Sequence, residues 1–220
     1  MAATAEPDYT APQWDSSALL VIDVQHDFVT GPSAVAGTAD RIPALARLVA
    51  AFRGARRPIV HVVRMYAPGG SDVDPPRRAA VEAGARIAAP GSPGAQIPVQ
   101  LLPRATELDA PLLLAGGVQP VGDGEVVVFK PRWSAFHRTP LAGHLAAAGV
   151  TTVTVAGCNL PNCPRATLFD ASERDLRAVL VTDATSQVID ARLDDLTLIG
   201  VQLATVAEVE RALTGVHVGR

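Results

Sequence analysis

Cysteine, lysine and long apolar runs are all scarce in this chain of 220 residues. Its two cysteines, Cys158 and Cys163, cannot build a disulfide framework. A reducing, cytoplasmic compartment is therefore the expectation. No segment approaches the roughly 18 continuous apolar residues of a membrane span. The N-terminus, Met1 to Asp8, has no basic region ahead of an apolar run, so a secretory signal is not expected. Charge of one sign is also lacking: 19 Lys plus Arg oppose 22 Asp plus Glu, a net −3. That balance gives no electrostatic footprint for nucleic acid or an anionic membrane.

What remains is a globular composition, 48% hydrophobic and 19% charged, which excludes a disordered chain. At about 150 residues per domain, one large domain is expected. It spans residues 17–220 behind a loose, polar arm over 1–16. Such a chain buries roughly 70% of its unfolded surface and needs no disulfide or metal to hold a core. The cationic residues are lopsided, with 18 Arg and a single Lys, Lys130. Arg stays charged at any working pH, whereas a lysine ammonium is compact and tunable. A chain that almost always chooses Arg and keeps Lys once marks position 130 for lysine chemistry, or keeps it by chance.

Ala18 to Ile22 is a continuous apolar run that predicts a strand buried on both faces. Asp40 is placed to cap a helix carrying Ile42, Leu45, Val49 and Phe52 at helical spacing, stopped by Gly54. Further strands are predicted at 59–63, 126–129, 152–156, 178–182 and 201–205. Helices are predicted at about 77–88, from Thr139 and Pro140 to Gly149, at 163–175, around 189–199, and at 207–213. Residues 66–104 are otherwise a Pro- and Gly-rich loop, long enough to suggest a binding role. Gly122-x-Gly124 precedes a strand and predicts a turn, not a phosphate loop. Alternating strands and helices define an α/β fold: a doubly wound, mainly parallel six-stranded sheet with helices on both faces.

Ligands of such sheets bind outside the carboxyl ends of the strands. The first strand delivers Asp23, then Gln25 and Asp27. The 126–129 strand delivers Lys130, and the 152–156 strand delivers Gly157 to Cys163. An acid, the one primary amine and a thiol thus converge on one rim. Cys163 opens a helix, followed by Pro164. A helix N-terminus and a nearby ammonium both bias a thiol towards thiolate. Asp23 is a candidate proton acceptor, and the N–H groups of Cys163 and of the Asn159–Leu160 segment are candidates to hold an oxyanion. Cys158, just past its strand, is expected to be inert packing, and Asp183 to be structural.

Three segments, LLVIDVQHDF at 19–28, FKPRWSAFHRTPL at 129–141 and VAGCNLPNCPRATLFDASERD at 155–175, are similar to those of the isochorismatase-like cysteine hydrolases. That superfamily includes nicotinamidases, N-carbamoylsarcosine amidase and ureidoacrylate amidohydrolases. The resemblance implies Asp23, Lys130 and Cys163 as the catalytic set and C–N hydrolysis through a thioester. It also implies a non-proline cis peptide at Cys158–Asn159, with Cys158, Asn159 and Leu160 forming the oxyanion loop, and a homo-oligomer. The stretch around Cys163 also resembles streptothricin hydrolase, which opens a lactam of a cationic antibiotic. Nicotinamidases of the family carry an Asp and two His as a metal site after the second strand. The corresponding loop here has no His, only Asp72 and Asp74, so neither metal nor cofactor is expected.

The substrate expected is a small amide-type molecule. Gln25, Phe28, Trp133 and Asn162 are its candidate contacts, with Phe136 as either pocket wall or core. Arg64, Arg77 and Arg78 could attract a carboxylate, while Asp72 and Asp74 could equally favour a cation. Three other readings stay open: isochorismatase-type hydrolysis of another bond, a non-catalytic binding protein on the same fold, and a redox pair of Cys158 with Cys163. The Cys-x4-Cys spacing is not the Cys-x-x-Cys motif of thiol oxidoreductases.

Overall fold

A computed structural model describes residues 8–69 and 72–215. In chain order the strands are β1 (Ser17–Ile22), β2 (Ile59–Val63), β3 (Val118–Gly122), β4 (Glu125–Phe129), β5 (Thr152–Gly157), β6 (Arg177–Thr185) and β7 (Gln202–Ala204). The helices are α1 (His26–Val29), α2 (Ile42–Gly54), α3 (Pro75–Glu82), α4 (Ala110–Leu114), α5 (Leu141–Ala147), α6 (Cys163–Ser172), α7 (Asp190–Leu198) and α8 (Val206–Gly215). The strands form one seven-stranded sheet in the order β3-β4-β2-β1-β5-β6-β7. All neighbours are parallel except β3 and β4.

The sheet has one strand more than expected. β3 is an edge strand containing Pro120, with alternating rather than continuous burial, so no apolar run betrays it. The predicted turn at Gly122-x-Gly124 joins it to β4 as a hairpin, with Gly124 at φ +65°. Asp40 does not cap α2. It lies inside a single 3-10 turn, Ala39–Arg41, that leads straight into the helix. The helix predicted at 77–88 starts earlier and stops at Glu82, and the one from Cys163 stops at Ser172. Of the arm expected over 1–16, residues 1–7 lie outside the described residues. The rest is tied to the sheet and a connection beside it: the Gln13 N–H donates to Thr152 Oγ1 of β5 at 2.9 Å, and Asp15 pairs at 2.7 Å with Arg57 in the connection before β2.

β1 is the central strand and is buried along its whole length. Its side chains alternate between two cores, as strand geometry requires. Leu19 and Val21 meet Leu45, Leu48, Val49 and Phe52 of α2 and Val209 and Leu213 of α8. Ala18, Leu20 and Ile22 meet Leu141 and Leu145 of α5, Leu168 and Ala171 of α6 and Leu196 of α7. Each such leucine or phenylalanine contributes roughly 1.5–3 kcal/mol on burial. The chain fills one side of the sheet from β1 through β2 to β4, then crosses to β5, β6 and β7 on the other. The strand order therefore reverses between β1 and β5, and the carboxyl ends of those two strands border a natural crevice.

Candidate active site

Asp23 leaves the end of β1 at φ +52°, a left-handed conformation that few residues other than glycine adopt. Its N–H donates to Val62 O of β2 at 2.8 Å, which fixes the carboxylate over the crevice. Across the reversal point, Gly157 ends β5 at φ +121°, and a Cβ there would lie 2.3 Å from Ile22 O. Only glycine lets β5 run this close to β1. The peptide between Cys158 and Asn159 that follows is cis, as the family resemblance implied. Lys130, the first residue past β4, donates its N–H to Val63 O at 3.0 Å. Its side chain is wholly buried.

The three expected groups come together. Lys130 Nζ lies 2.8 Å from Asp23 Oδ2 and donates to Arg132 O at 3.1 Å. Asp23 Oδ1 is buried and has no hydrogen-bond partner. Burial works to lower the Lys130 pKa, but the opposing charges, led by the Asp23 carboxylate, outweigh it and hold the amine above its usual value. Cys163 opens α6, and its carbonyl accepts from Thr167 Oγ1 at 2.8 Å. That hydroxyl also accepts from the Ala135 N–H at 3.0 Å, so the turn bearing Cys163 is tied to the loop that follows Lys130.

The expected thiolate bias is reversed. The Cys163 thiol is pushed up to about 12, first by burial and then by the negative charge of Asp23, against the smaller pull of Lys130. Desolvation and a like charge outweigh the ammonium. Burial and the Asp23 charge thus both favour the neutral form of a thiol that sits beside an open carboxylate oxygen.

The oxyanion loop also needs correction. The Cys158 N–H is already given to Ile22 O at 2.8 Å, and the Leu160 N–H to Ser186 O at 3.0 Å. Among the described residues, the N–H groups of Asn159 and Cys163 donate to nothing. Cys158 is buried in the core, and burial raises its thiol to about 11. Both cysteines are free thiols.

Asp23, Asn159, Asn162 and Cys163 line a cavity of about 260 Å³ with Phe28 and Trp133. Gln25 is not among the lining residues and is fully buried. Its amide is spent on the scaffold, donating to Arg64 O and Ala95 O and accepting from the Arg64 N–H, each at 2.7 Å. It binds backbone, not substrate. Asp27 has a similar duty. Its Oδ2 accepts from the Ala88 N–H at 2.7 Å, and a Cβ on Gly94 would lie 2.2 Å from its Oδ1. Two carboxamide or carboxylate groups on the turn after β1 thus hold the Pro- and Gly-rich loop in place. Phe136 is core, and Asp183 accepts from the Val206 N–H at the start of α8.

The sequence reading missed Tyr66 and Val35 as cavity walls. Neither stands in a motif, and only the folded loops bring them in. Arg64 and Asp74 also face the cavity and form a buried ion pair. Asp72 is held outside it by Arg132 at 2.9 Å and Arg138 at 2.8 Å. Among the described residues no group of three or more His, Cys, Asp or Glu is placed to hold a metal, and no helix is long and apolar enough to cross a membrane.

Fold and site together define an α/β protein with a small-molecule cavity at the sheet's reversal point. The family model for the isochorismatase domain matches residues 17–209, and the chain belongs to the isochorismatase family of hydrolases. It is 32% identical over 208 residues to an Arabidopsis thaliana protein named "Probable inactive nicotinamidase", covering 90% of this chain and 96% of that one. It is 30% identical over 230 residues to the ureidoacrylate amidohydrolase RutB of Methylobacterium radiotolerans, covering 95% of this chain and 84% of the relative. A crystal structure of an isochorismatase family protein from Desulfovibrio vulgaris superposes with a TM-score of 0.77 at 31% identity, covering 90% of this chain and 98% of that one.

Proposed function

We propose that the protein is an amidohydrolase that cleaves the C–N bond of a small amide, ureido or lactam substrate, with Cys163 as nucleophile. The observation that carries this is the divided state of Asp23. One oxygen is anchored to Lys130, and the other is buried and unpartnered beside the thiol. An open, desolvated acceptor is costly to keep unless it has a proton to take.

The chemistry follows from that arrangement. The thiol transfers its proton to Asp23 as sulfur attacks the substrate carbonyl carbon. The resulting oxyanion is met by the N–H groups of Asn159 and Cys163, each worth about 10²–10³ in rate. Asp23 returns the proton to the leaving nitrogen, the C–N bond breaks and a thioester remains. Water then attacks the thioester, losing its proton to Asp23, and the sulfur leaves as Asp23 gives that proton back. The acid and the free thiol are restored. Lys130 keeps Asp23 ionised and aimed.

The RutB relative, an amidohydrolase by name, agrees with this reaction class. One relative is named a probable inactive nicotinamidase, so the proposal rests on the three side chains of this chain and not on the fold. Streptothricin-type lactam opening gains no support from the charges, because Asp72 and Asp74 are both taken by arginines. A disulfide-exchanging pair is not favoured either, because Cys158 is packed into the core and both cysteines are free thiols. The test is an ammonia-release screen over small amides, ureido compounds and lactams, with Cys163→Ala as control. Release that needs Cys163 supports the proposal. Release that persists in Cys163→Ala, or none from any compound class, refutes it.

A further inference from the structure

Among the described residues, the charged groups that face the cavity can be paired off, and one cation is left over. Asp23 is matched by Lys130 at 2.8 Å. Asp74 is matched by Arg64, whose guanidinium is filled further by Tyr66 Oη at 3.2 Å and Lys130 O at 3.1 Å. Arg77, in the first turn of α3, also lines the cavity and is half-buried. Among the described residues its guanidinium has neither a hydrogen-bond nor an ion-pair partner; only its backbone N–H is engaged, with Asp74 O at 3.0 Å. Its neighbour Arg78 points elsewhere and donates to Val73 O at 3.0 Å.

We propose that Arg77 anchors a carboxylate carried by the substrate, so that the site selects anionic amides or ureides over neutral and cationic ones. The inference deepens the amidohydrolase assignment and rests on this cavity being the amide site. Of the three arginines that the sequence offered for a carboxylate, Arg64 is neutralised and Arg78 is turned away. Among the described residues, only Arg77 of the three has its fork of donors free for the planar, two-oxygen geometry of a carboxylate. Phe28 and Tyr66, both buried, supply apolar wall beside it, which strengthens a charge pair formed there. A cationic substrate would find no carboxylate to spare, since the open oxygen of Asp23 serves the sulfur.

Binding is measured by titration calorimetry on Cys163→Ala, which leaves the amides intact. The ligands are malonamate, succinamate and glutaramate, each paired with its neutral diamide. At least one monoamide should bind about 10- to 100-fold more tightly than its diamide. Arg77→Gln should bring the pair to parity by weakening the monoamide alone. Arg77→Lys should restore part of the preference, and Arg78→Gln should leave it intact. Unchanged diamide binding in Arg77→Gln shows that the cavity is still formed, and Arg77→Lys decides if that variant binds neither ligand. The inference is overturned if every diamide binds as well as its monoamide, if the preference survives Arg77→Gln, or if none of the ligands binds. Monoamide preference without ammonia release from the wild type would leave the Arg77 anchor standing and sink the hydrolase assignment instead.

Discussion

Two buried carboxylates sit on the same sheet and are treated in opposite ways. Glu125, at the start of β4, has both oxygens filled. Arg53 forks onto them through Nε and Nη2 at 2.7 Å each, and His61 Nε2 reaches Oε1 at 2.7 Å. Burial works to raise its pKa, but these hydrogen bonds outweigh it and hold the carboxyl below the usual range. Asp23, past the end of β1, has one oxygen on Lys130 and leaves the other bare. A saturated buried acid is locked in one protonation state and serves the fold. A half-saturated one is poised to accept a proton and serves chemistry.

Exchanging the two roles by mutation should separate them. The largest effect belongs to Asp23→Asn, which should cut hydrolysis by about 10³-fold or more, as the loss of a general base does. Glu125→Gln, assayed in parallel by ammonia release, should stay within about threefold of wild type. If both variants lose activity equally, the contrast between the two carboxylates is wrong.

Next in size is Arg53→Met, which strands Glu125 without its fork. It should cost about 3 kcal/mol of stability, read from urea denaturation. The Glu125 cluster should also show in the pH dependence of folding. Its pKa is lower in the folded than in the unfolded state, so its stabilisation is present above the ordinary carboxyl pKa and fades as pH falls through the folded value. Glu125→Gln should therefore flatten part of the loss of stability as pH falls below the ordinary carboxyl pKa. An acid limb as steep as wild type would count against a paired, ionised Glu125. The smallest effect is reserved for Cys158→Ser, which should change hydrolysis by less than about threefold. A large loss there would revive the two-cysteine redox alternative.

Asp23, Lys130 and Cys163 were legible in the sequence because each stands directly after a continuous apolar run or at the head of a helix. The strand ends of a parallel sheet do the rest. Strand β3 was not legible, because an edge strand with a proline carries no such run. The duty of Gln25 was hidden for another reason. Its partners, Arg64 and Ala95, lie 39 and 70 residues away, and nothing local distinguishes an amide that holds backbone from one that holds substrate. The sign of the Cys163 shift was misjudged because helix ends and charges can be read from sequence, whereas the degree of burial cannot. The same holds for the arginines. Arg64, Arg77 and Arg78 are equivalent as letters, and only their partners tell them apart.

The central claim is that Asp23 keeps Cys163 as a neutral thiol and takes its proton during attack. It is tested most directly by the rate of Cys163 alkylation by iodoacetamide as a function of pH, in wild type and in Asp23→Asn. Wild type should react slowly at neutral pH and climb through the alkaline range, since burial and Asp23 raise the thiol pKa to about 12. Removing the negative charge should shift that climb to lower pH, so the variant alkylates faster while hydrolysing less. A wild-type sulfur that already reacts at its full rate below pH 7, or a profile that Asp23→Asn does not move, would contradict the claim.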